Sequence, residues 1–169
     1  MTSIRHTIEY QAISDFYGSQ TAKRSGVLLT QHIDDGIVIL ESIGADSITQ
    51  AAFCLHPIFQ MDDALVTTAT EFMRVYGIPQ SAFLAMEYRG IANAYLAYHV
   101  MPRDGIRLGP LSQVHQMLVA DKVQNRKDFD LYHKAGHPNS ERLTQYFNEW
   151  LTALGVSEAR YQELISELD

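Results

Sequence analysis

Apolar residues recur along most of this chain with the spacing of an α-helix. In the segment 31–43, for example, Ile33, Ile37 and Leu40 fall on one side of a helix. Alternating apolar and polar runs, which are typical of β-strands, are poorly represented, and no hairpin turn signal is found. The pattern predicts an all-α fold of seven or eight helices in a single domain over residues 1–169.

Glycines and prolines divide this pattern into separate helices. Gly44 is expected to end the second helix, and Ser47 is expected to cap the third. Pro57 is expected to stop the third helix at His56, because a proline disfavours helical geometry in the residue before it. Pro79 suits the first turn of a later helix. The expected helices span 6–17, 31–43, 47–56, 62–77, 79–100, 112–132, 140–154 and 157–168.

Composition narrows the class of protein. The formal net charge of -7 argues against an extended nucleic acid as partner, because such a partner requires a broad basic face. The longest apolar stretches fall well short of a membrane span, so we expect no membrane partner. Cys54 is the only cysteine, and no intrachain disulfide can form. These features lead us to expect a cytoplasmic protein.

The basic residues form small local groups rather than one face. These groups are Lys23 with Arg24, Arg103 with Arg107, and Lys122 with Arg126 and Lys127. Small basic clusters on an acidic chain suit a compact anionic ligand better than a long polyanion. A solvated helix face is the alternative interpretation for each cluster taken alone.

Two of the seven histidines, His32 and His56, lie in segments that suggest chemistry. The alternative for both is a core histidine that is hydrogen-bonded to backbone carbonyls. His133 and His137 are four residues apart, as a pair of metal ligands on a helix would be. The glycine between them and the proline after them favour a loop instead.

Three segments, in order, resemble the HD-domain phosphohydrolases. They are KRSGVLLTQHIDDGIVIL, SITQAAFCLHPIFQ and MLVADKVQNRKDF. They are similar to the family segments R-x-G-x-P-Y-x-x-H, A-A-x-L-H-D and K-L-A-D-K/R-L-x-N of the Rel/Spo (p)ppGpp hydrolase domains and the small alarmone hydrolases of animals. Intervals of 24 residues from His32 to His56, and of 65 from His56 to Asp121, also match this pattern. The resemblance covers most of 20–150 and implies an HD-like helical bundle.

The resemblance implies a metal site. The family holds one divalent ion with two histidines and two aspartates, and His32, His56 and Asp121 match three of these ligands. Manganese is the ion that we expect, with iron or zinc as alternatives, because imidazole and carboxylate suit all three. Pro57 stands where the family has its fourth ligand, a carboxylate. Three protein ligands can suffice, as they do in many catalytic zinc sites.

Another carboxylate is the alternative to a three-ligand site. Asp35, one helical turn after His32, or Asp62 or Asp63 from the next helix would then take the place of the fourth ligand. The family also has an acidic pair shortly after its H-D that handles the attacking water. Asp62 and Asp63 follow closely after the matching positions, and the resemblance therefore implies a catalytic role for them.

The same resemblance implies a nucleotide pocket. Arg24 matches a residue that stacks on a purine base, which a planar guanidinium does well. Asn125, one turn after Asp121, would touch base or ribose, Lys122 and Arg126 would bind phosphates, and Tyr146 would line the pocket. A surface-paired Arg24 and an Asn125 bonded to a loop are the alternatives.

The expected function is hydrolysis of a nucleotide or of a ppGpp-like alarmone by a metal-dependent HD-type enzyme. The alternative is a degenerate HD domain that binds a nucleotide or a protein partner without hydrolysis. A third possibility is a helical interaction module whose site is vestigial.

Overall fold

A computed structural model describes residues 3–23, 25–99 and 104–168. This part of the chain contains no β-strand, only an isolated antiparallel bridge between Thr21 and Leu28. Its eight helices confirm the all-α prediction, and none of them is both long and apolar enough to cross a membrane. A 3₁₀ turn at Ile4–His6 comes before the first helix.

The eight helices follow one another along the described part of the chain with mostly short connections. They are α1 (Ile8–Tyr17), α2 (Leu29–Ser42), α3 (Ser47–Gln60), α4 (Asp62–Ala64, a π-helical turn at Leu65–Ala69, then Thr70–Tyr76), α5 (Gln80–Ala94), α6 (Ser112–Asp128), α7 (Ser140–Ala153) and α8 (Glu158–Ile165). A second π-helical turn, Phe129–His133, directly continues α6.

Helix α3 lies at the centre of the bundle. Every residue from Ala51 to Phe59 is buried, as expected for a helix that is apolar on all sides. Helices α1, α2, α5 and α6 all pack against it. The central position of α3 places His56, which is only 2% exposed, inside the protein.

Helix α2 approaches α3 closely at Gly36. A Cβ atom added to Gly36 would lie 2.1 Å from Cε1 of Phe53, so a larger residue has no room there. The Phe53 ring centroid lies 5.8 Å from that of His32 and 4.5 Å from that of His56. The missing side chain at Gly36 therefore lets one aromatic ring pack against both histidines.

Both ends of α3 differ from the sequence-based expectation. The N-cap is Asp46, whose Oδ1 accepts the Thr49 N–H at 2.7 Å, and Ser47 is already helical. The expectation that the helix stops at His56 is wrong, because Pro57 lies inside it and α3 runs to Gln60. Ile58 and Phe59, which follow the proline, are buried, and their packing outweighs the local effect of the proline.

Helix α5 is shorter than predicted and begins differently. Pro79 is its N-cap rather than a residue of its first turn, and the helix ends at Ala94 instead of near residue 100. The next residue, Tyr95, is buried, with its ring edge-on to Trp150 at 5.9 Å between centroids. Its hydroxyl accepts the backbone N–H of Arg107 at 2.9 Å. These contacts account for the change in chain direction after Ala94.

Candidate metal centre

Three side chains from three helices converge inside the bundle. His32 is on α2, His56 on α3 and Asp121 on α6. Nε2 of His32 lies 3.2 Å from Nε2 of His56 and 3.5 Å from Oδ1 of Asp121. Nε2 of His56 lies 3.7 Å from the same carboxylate oxygen. The structure thus brings together the three residues that the resemblance implied as metal ligands.

The opposite nitrogen of each imidazole already has an acceptor. Nδ1 of His32 lies 2.6 Å from Oε1 of Gln124, and Nδ1 of His56 lies 2.6 Å from the carbonyl oxygen of Phe53. A carbonyl oxygen can only accept, so each Nδ1 carries the proton and donates it. In the neutral rings both Nε2 atoms then present lone pairs to each other and to Asp121. Metal-binding histidines are commonly oriented by such bonds.

The carboxylate of Asp121 is held ionised although it is buried. Burial opposes its charge, but Lys122, whose Nζ lies 2.7 Å from Oδ2, outweighs burial and holds the pKa of Asp121 well below its usual range. Asn125 donates its amide N–H to Oδ1 at 2.7 Å. A carboxylate oxygen has two lone pairs, so Oδ1 can serve Asn125 and a cation together.

His56 is held neutral. Burial lowers the pKa of its imidazole and outweighs the opposite effect of Asp121. Next to it, the Tyr88 ring centroid lies 4.9 Å from that of His56, and the Tyr88 hydroxyl is buried without a hydrogen-bond partner in the described part of the chain. An unsatisfied hydroxyl beside the three converging atoms marks this as a place for a further polar group.

The three side chains fit a metal ion. Bonds of about 2.0–2.2 Å from a metal to histidine and carboxylate ligands place neighbouring ligand atoms of a tetrahedron about 3.3–3.6 Å apart. The observed separations of 3.2, 3.5 and 3.7 Å agree with this spacing. Two neutral imidazoles and one carboxylate can therefore hold a divalent cation, and their lone pairs repel each other without one.

The position of the family's fourth ligand is occupied by a buried proline. Pro57 lines the cavity beside His56 but has no group that binds a metal. Asp35, one alternative source of a carboxylate, instead bonds Nζ of Lys127 at 2.8 Å and accepts from the amide of Gln31. Among the described residues, only His32, His56 and Asp121 form a group that can hold a metal ion.

Asp62 and Asp63 lie at the start of α4, away from the converging atoms. The Asp62 side chain is 87% exposed and pairs with Arg89. The same guanidinium donates to the carbonyl oxygens of Phe59 and Gln60 at the end of α3. Neither aspartate lines the cavity beside His56, so the catalytic role that the resemblance implied for them stays a prediction.

This cavity has a volume of about 480 Å³ and opens next to the three candidate ligands. Its size is typical of small-molecule sites. Polar lining side chains include Gln60, Gln124, Asn125 and Asp128, and the aromatic ones are Tyr17, Phe129 and Phe147. His133 and His137 also line it, which the sequence-based interpretation did not anticipate. The π-helical turn after α6 carries His133 to this wall, and no simple periodicity in the sequence indicates such a turn.

The residues predicted to bind substrate fall into three groups. Asn125 lines the cavity beside Asp121. Lys122 and Tyr146 do not line the cavity. They lie together behind Asp121, with Lys122 Nζ 4.9 Å from the Trp150 ring centroid and 5.7 Å from that of Tyr146.

The remaining two lie elsewhere. The guanidinium of Arg126 lies 4.0 Å from the ring centroid of Tyr161 and 2.8 Å from Oε2 of Glu158, so it faces α8. Arg24 lies outside the residues that the structure describes. Its neighbour Ser25 lines the cavity.

Comparison of the chain with protein-family models, with curated proteins and with solved structures finds no match.

Proposed function

We propose that this chain is a metal-dependent phosphohydrolase of the HD type that acts on a nucleotide or on a nucleotide-like alarmone. The observation that carries this proposal is the convergence of His32, His56 and Asp121 at the wall of a cavity of about 480 Å³. The order and spacing of the three HD-like segments independently favour the same ligands.

Manganese is the ion that we propose, with iron or zinc as alternatives, because two imidazoles and one carboxylate suit these metals. Such an ion supplies Lewis acidity to a phosphoryl oxygen and makes water a better nucleophile. The protein's own contribution is to hold the ligands in place through Gln124 and the Phe53 carbonyl, and to keep Asp121 ionised through Lys122.

The cavity lining suggests which nucleotides to test first. Among the residues that the structure describes, no lysine or arginine side chain lines it, whereas Asp121 and Asp128 both do. A ligand with many phosphates would meet little compensating charge there, so a nucleotide with few phosphates is favoured. Phe129 and Phe147 offer apolar surface for a base or ribose. The proposed stacking role of Arg24 is retained.

A second candidate function is nucleotide binding without hydrolysis. The observation that favours it is Pro57, which stands where the family has a fourth carboxylate and which leaves the site with three ligands. In that case the cavity and the histidines would bind a nucleotide and release it without hydrolysis.

One set of measurements separates these candidates. The protein is purified without chelator, its metals are quantified by elemental analysis, and phosphate release is followed with Mn²⁺ and a panel of nucleoside mono-, di- and triphosphates together with ppGpp. Bound transition metal and release that is lost in His56→Ala support the hydrolase. Nucleotide binding without release supports the second candidate. Absence of metal, binding and release contradicts both.

A further inference from the structure

Pro57 lies at an unusual position for a proline, inside the last turn of the helix that carries His56. It lies inside α3, three residues before the end of the helix, and it is buried. A proline in a helix interior has no N–H to donate to the carbonyl four residues earlier, and this lowers helix stability. Such a costly residue next to a candidate metal ligand calls for a physical reason.

The carbonyl that Pro57 leaves without its helical N–H is that of Phe53, four residues earlier in α3. This carbonyl oxygen lies 2.6 Å from Nδ1 of His56. With any other residue at position 57, a backbone N–H would be directed at the same oxygen. The oxygen has two lone pairs, so that N–H would compete with the imidazole bond rather than exclude it. The proline removes this competing donor and leaves the Phe53 carbonyl to the imidazole alone.

The hydrogen bond that His56 donates from Nδ1 determines whether its other ring nitrogen, Nε2, has a free lone pair. Because Nδ1 of His56 carries the proton, Nε2 has a free lone pair, 3.2 Å from Nε2 of His32 and 3.7 Å from Oδ1 of Asp121. His32 reaches the same state by another route, since its Nδ1 donates to the side chain of Gln124. One histidine is thus oriented by a side chain, and the other by a backbone carbonyl.

We propose that Pro57 is a positioning residue that keeps the Phe53 carbonyl available to His56 Nδ1–H and so keeps the Nε2 lone pair of His56 in the metal centre. The consequence for metal binding rests on the proposed metal-dependent function, but the location of the proton does not. Pro57 thus acts on the metal centre by orienting His56, the residue before it, and does not bind the metal itself.

The test compares the wild-type chain with Pro57→Ala, which returns an N–H to position 57. In metal-free protein labelled with ¹⁵N at histidine, long-range ¹H–¹⁵N NMR spectra report which ring nitrogen carries the proton. We expect His56 to be protonated at Nδ1 in the wild type, and a measurable share of the protons to move to Nε2 in the variant. His32 is the internal control, because its acceptor is Gln124 and its proton should not move.

A second readout is the affinity for Mn²⁺ and Co²⁺, measured by titration of both proteins. We expect Pro57→Ala to weaken binding by about tenfold or more, as loss of a bond that orients a ligand does. The midpoint of urea unfolding of the metal-free variant should rise at the same time, because a proline leaves a helix interior. A residue with only a structural role would change the midpoint without changing the affinity.

The outcomes are distinct. A wild-type His56 protonated at Nε2 would overturn the proposal, and this measurement does not require the variant to fold. Unchanged proton location and unchanged affinity in Pro57→Ala would also overturn it. If the proton moves as expected but neither protein binds metal, the role of Pro57 is supported while the proposed metal-dependent function is contradicted.

Discussion

Nε2 of His32 and Nε2 of His56 lie 3.2 Å apart, and the opposite nitrogen of each ring has a carbonyl acceptor for its proton, so in neutral rings both Nε2 atoms carry lone pairs. Two lone pairs at this distance repel each other, and the nearby Asp121 oxygen adds to the repulsion. A cation between them removes it. The residues that hold the two Nε2 atoms and the Asp121 oxygen close together should therefore affect both the metal affinity and the free energy of unfolding.

Removal of any one of the three ligands should abolish tight metal binding. We expect His32→Ala, His56→Ala and Asp121→Asn each to weaken Mn²⁺ or Co²⁺ binding by at least about 100-fold, since the effect of a lost ligand exceeds that of a lost orienting bond. Titration followed by Co²⁺ absorption measures this. His6→Ala is the matched control, because His6 is exposed and far from the site in sequence. Equal affinity in all four variants would contradict the metal site.

Gly36 should tolerate no side chain. In Gly36→Ala the added Cβ would meet the Phe53 ring, and we expect a loss of about 1–3 kcal/mol in the free energy of unfolding, which is typical of overpacking. Metal affinity should fall too, because Phe53 packs against both histidines. Gly90→Ala is the control: it is also helical, has open space at its Cβ, and should stabilise the protein by up to about 1 kcal/mol. Urea unfolding of both variants checks this.

Lys122→Met should make the fold depend on metal. The variant leaves the buried Asp121 carboxylate without its cation, which typically costs about 3–5 kcal/mol in a buried pair. Added Mn²⁺ should restore part of this loss, whereas EDTA should not. The matched control is Lys127→Met on the same helix as Lys122. It breaks the partly buried pair with Asp35 of α2 but should show no metal-dependent recovery. The same response in both variants would contradict the role of Lys122.

Arg126 offers a direct choice between two roles. Its guanidinium covers Tyr161 and pairs with Glu158, so we expect Arg126→Ala to lower the free energy of unfolding by about 1–2 kcal/mol through lost packing and cation–π contact. Arg160→Ala, in an exposed pair, should change it by less than about 0.5 kcal/mol. If Arg126→Ala instead keeps its stability and loses nucleotide affinity, the phosphate-binding role implied by the resemblance is supported.

A carboxylate at position 57 tests the three-ligand site. Pro57→Asp places an acid beside His56 in the cavity wall, at the position where HD-type proteins have their fourth ligand. We expect metal affinity above that of Pro57→Ala, because both variants return the backbone N–H and only one adds a ligand. Metal titration of the two variants side by side gives the comparison. Equal affinities would show that the side chain at 57 does not reach the ion.

The three converging residues are predictable from the sequence because each lies in a short motif, and the three motifs follow one another in a specific order and at specific intervals. The motif order points to His32, His56 and Asp121, and the structure brings their ligand atoms within 3.7 Å of one another. The helical pattern is equally informative, since eight helices occupy most of the predicted ranges in the described part of the chain. Helical periodicity and motif order each depend on many residues, so one atypical residue such as Pro57 does not change the prediction.

What the sequence does not predict depends on contacts between distant residues. The extension of α3 past Pro57 comes from burial of the residues that follow, which outweighs a local preference. The pairing of Asp62 with Arg89 joins residues of different helices. Likewise His133 reaches the cavity through a π-helical turn rather than a regular helix. Preferences of neighbouring residues in the sequence predict none of these features, because each depends on tertiary contacts between separate helices.

The ion pair between Asp121 and Lys122 has a consequence for the order of events. The carboxylate of Asp121 and the ammonium of Lys122 neutralise each other, and the buried pair can remain inside the protein while the chain folds without another cation. If the proposed metal site is correct, folding and metal loading are separate steps, unlike in zinc fingers, where the ion itself drives folding. The protein should therefore be recovered folded after chelation and be reloaded reversibly, so that metal supply can act as an on–off control of a pre-assembled molecule.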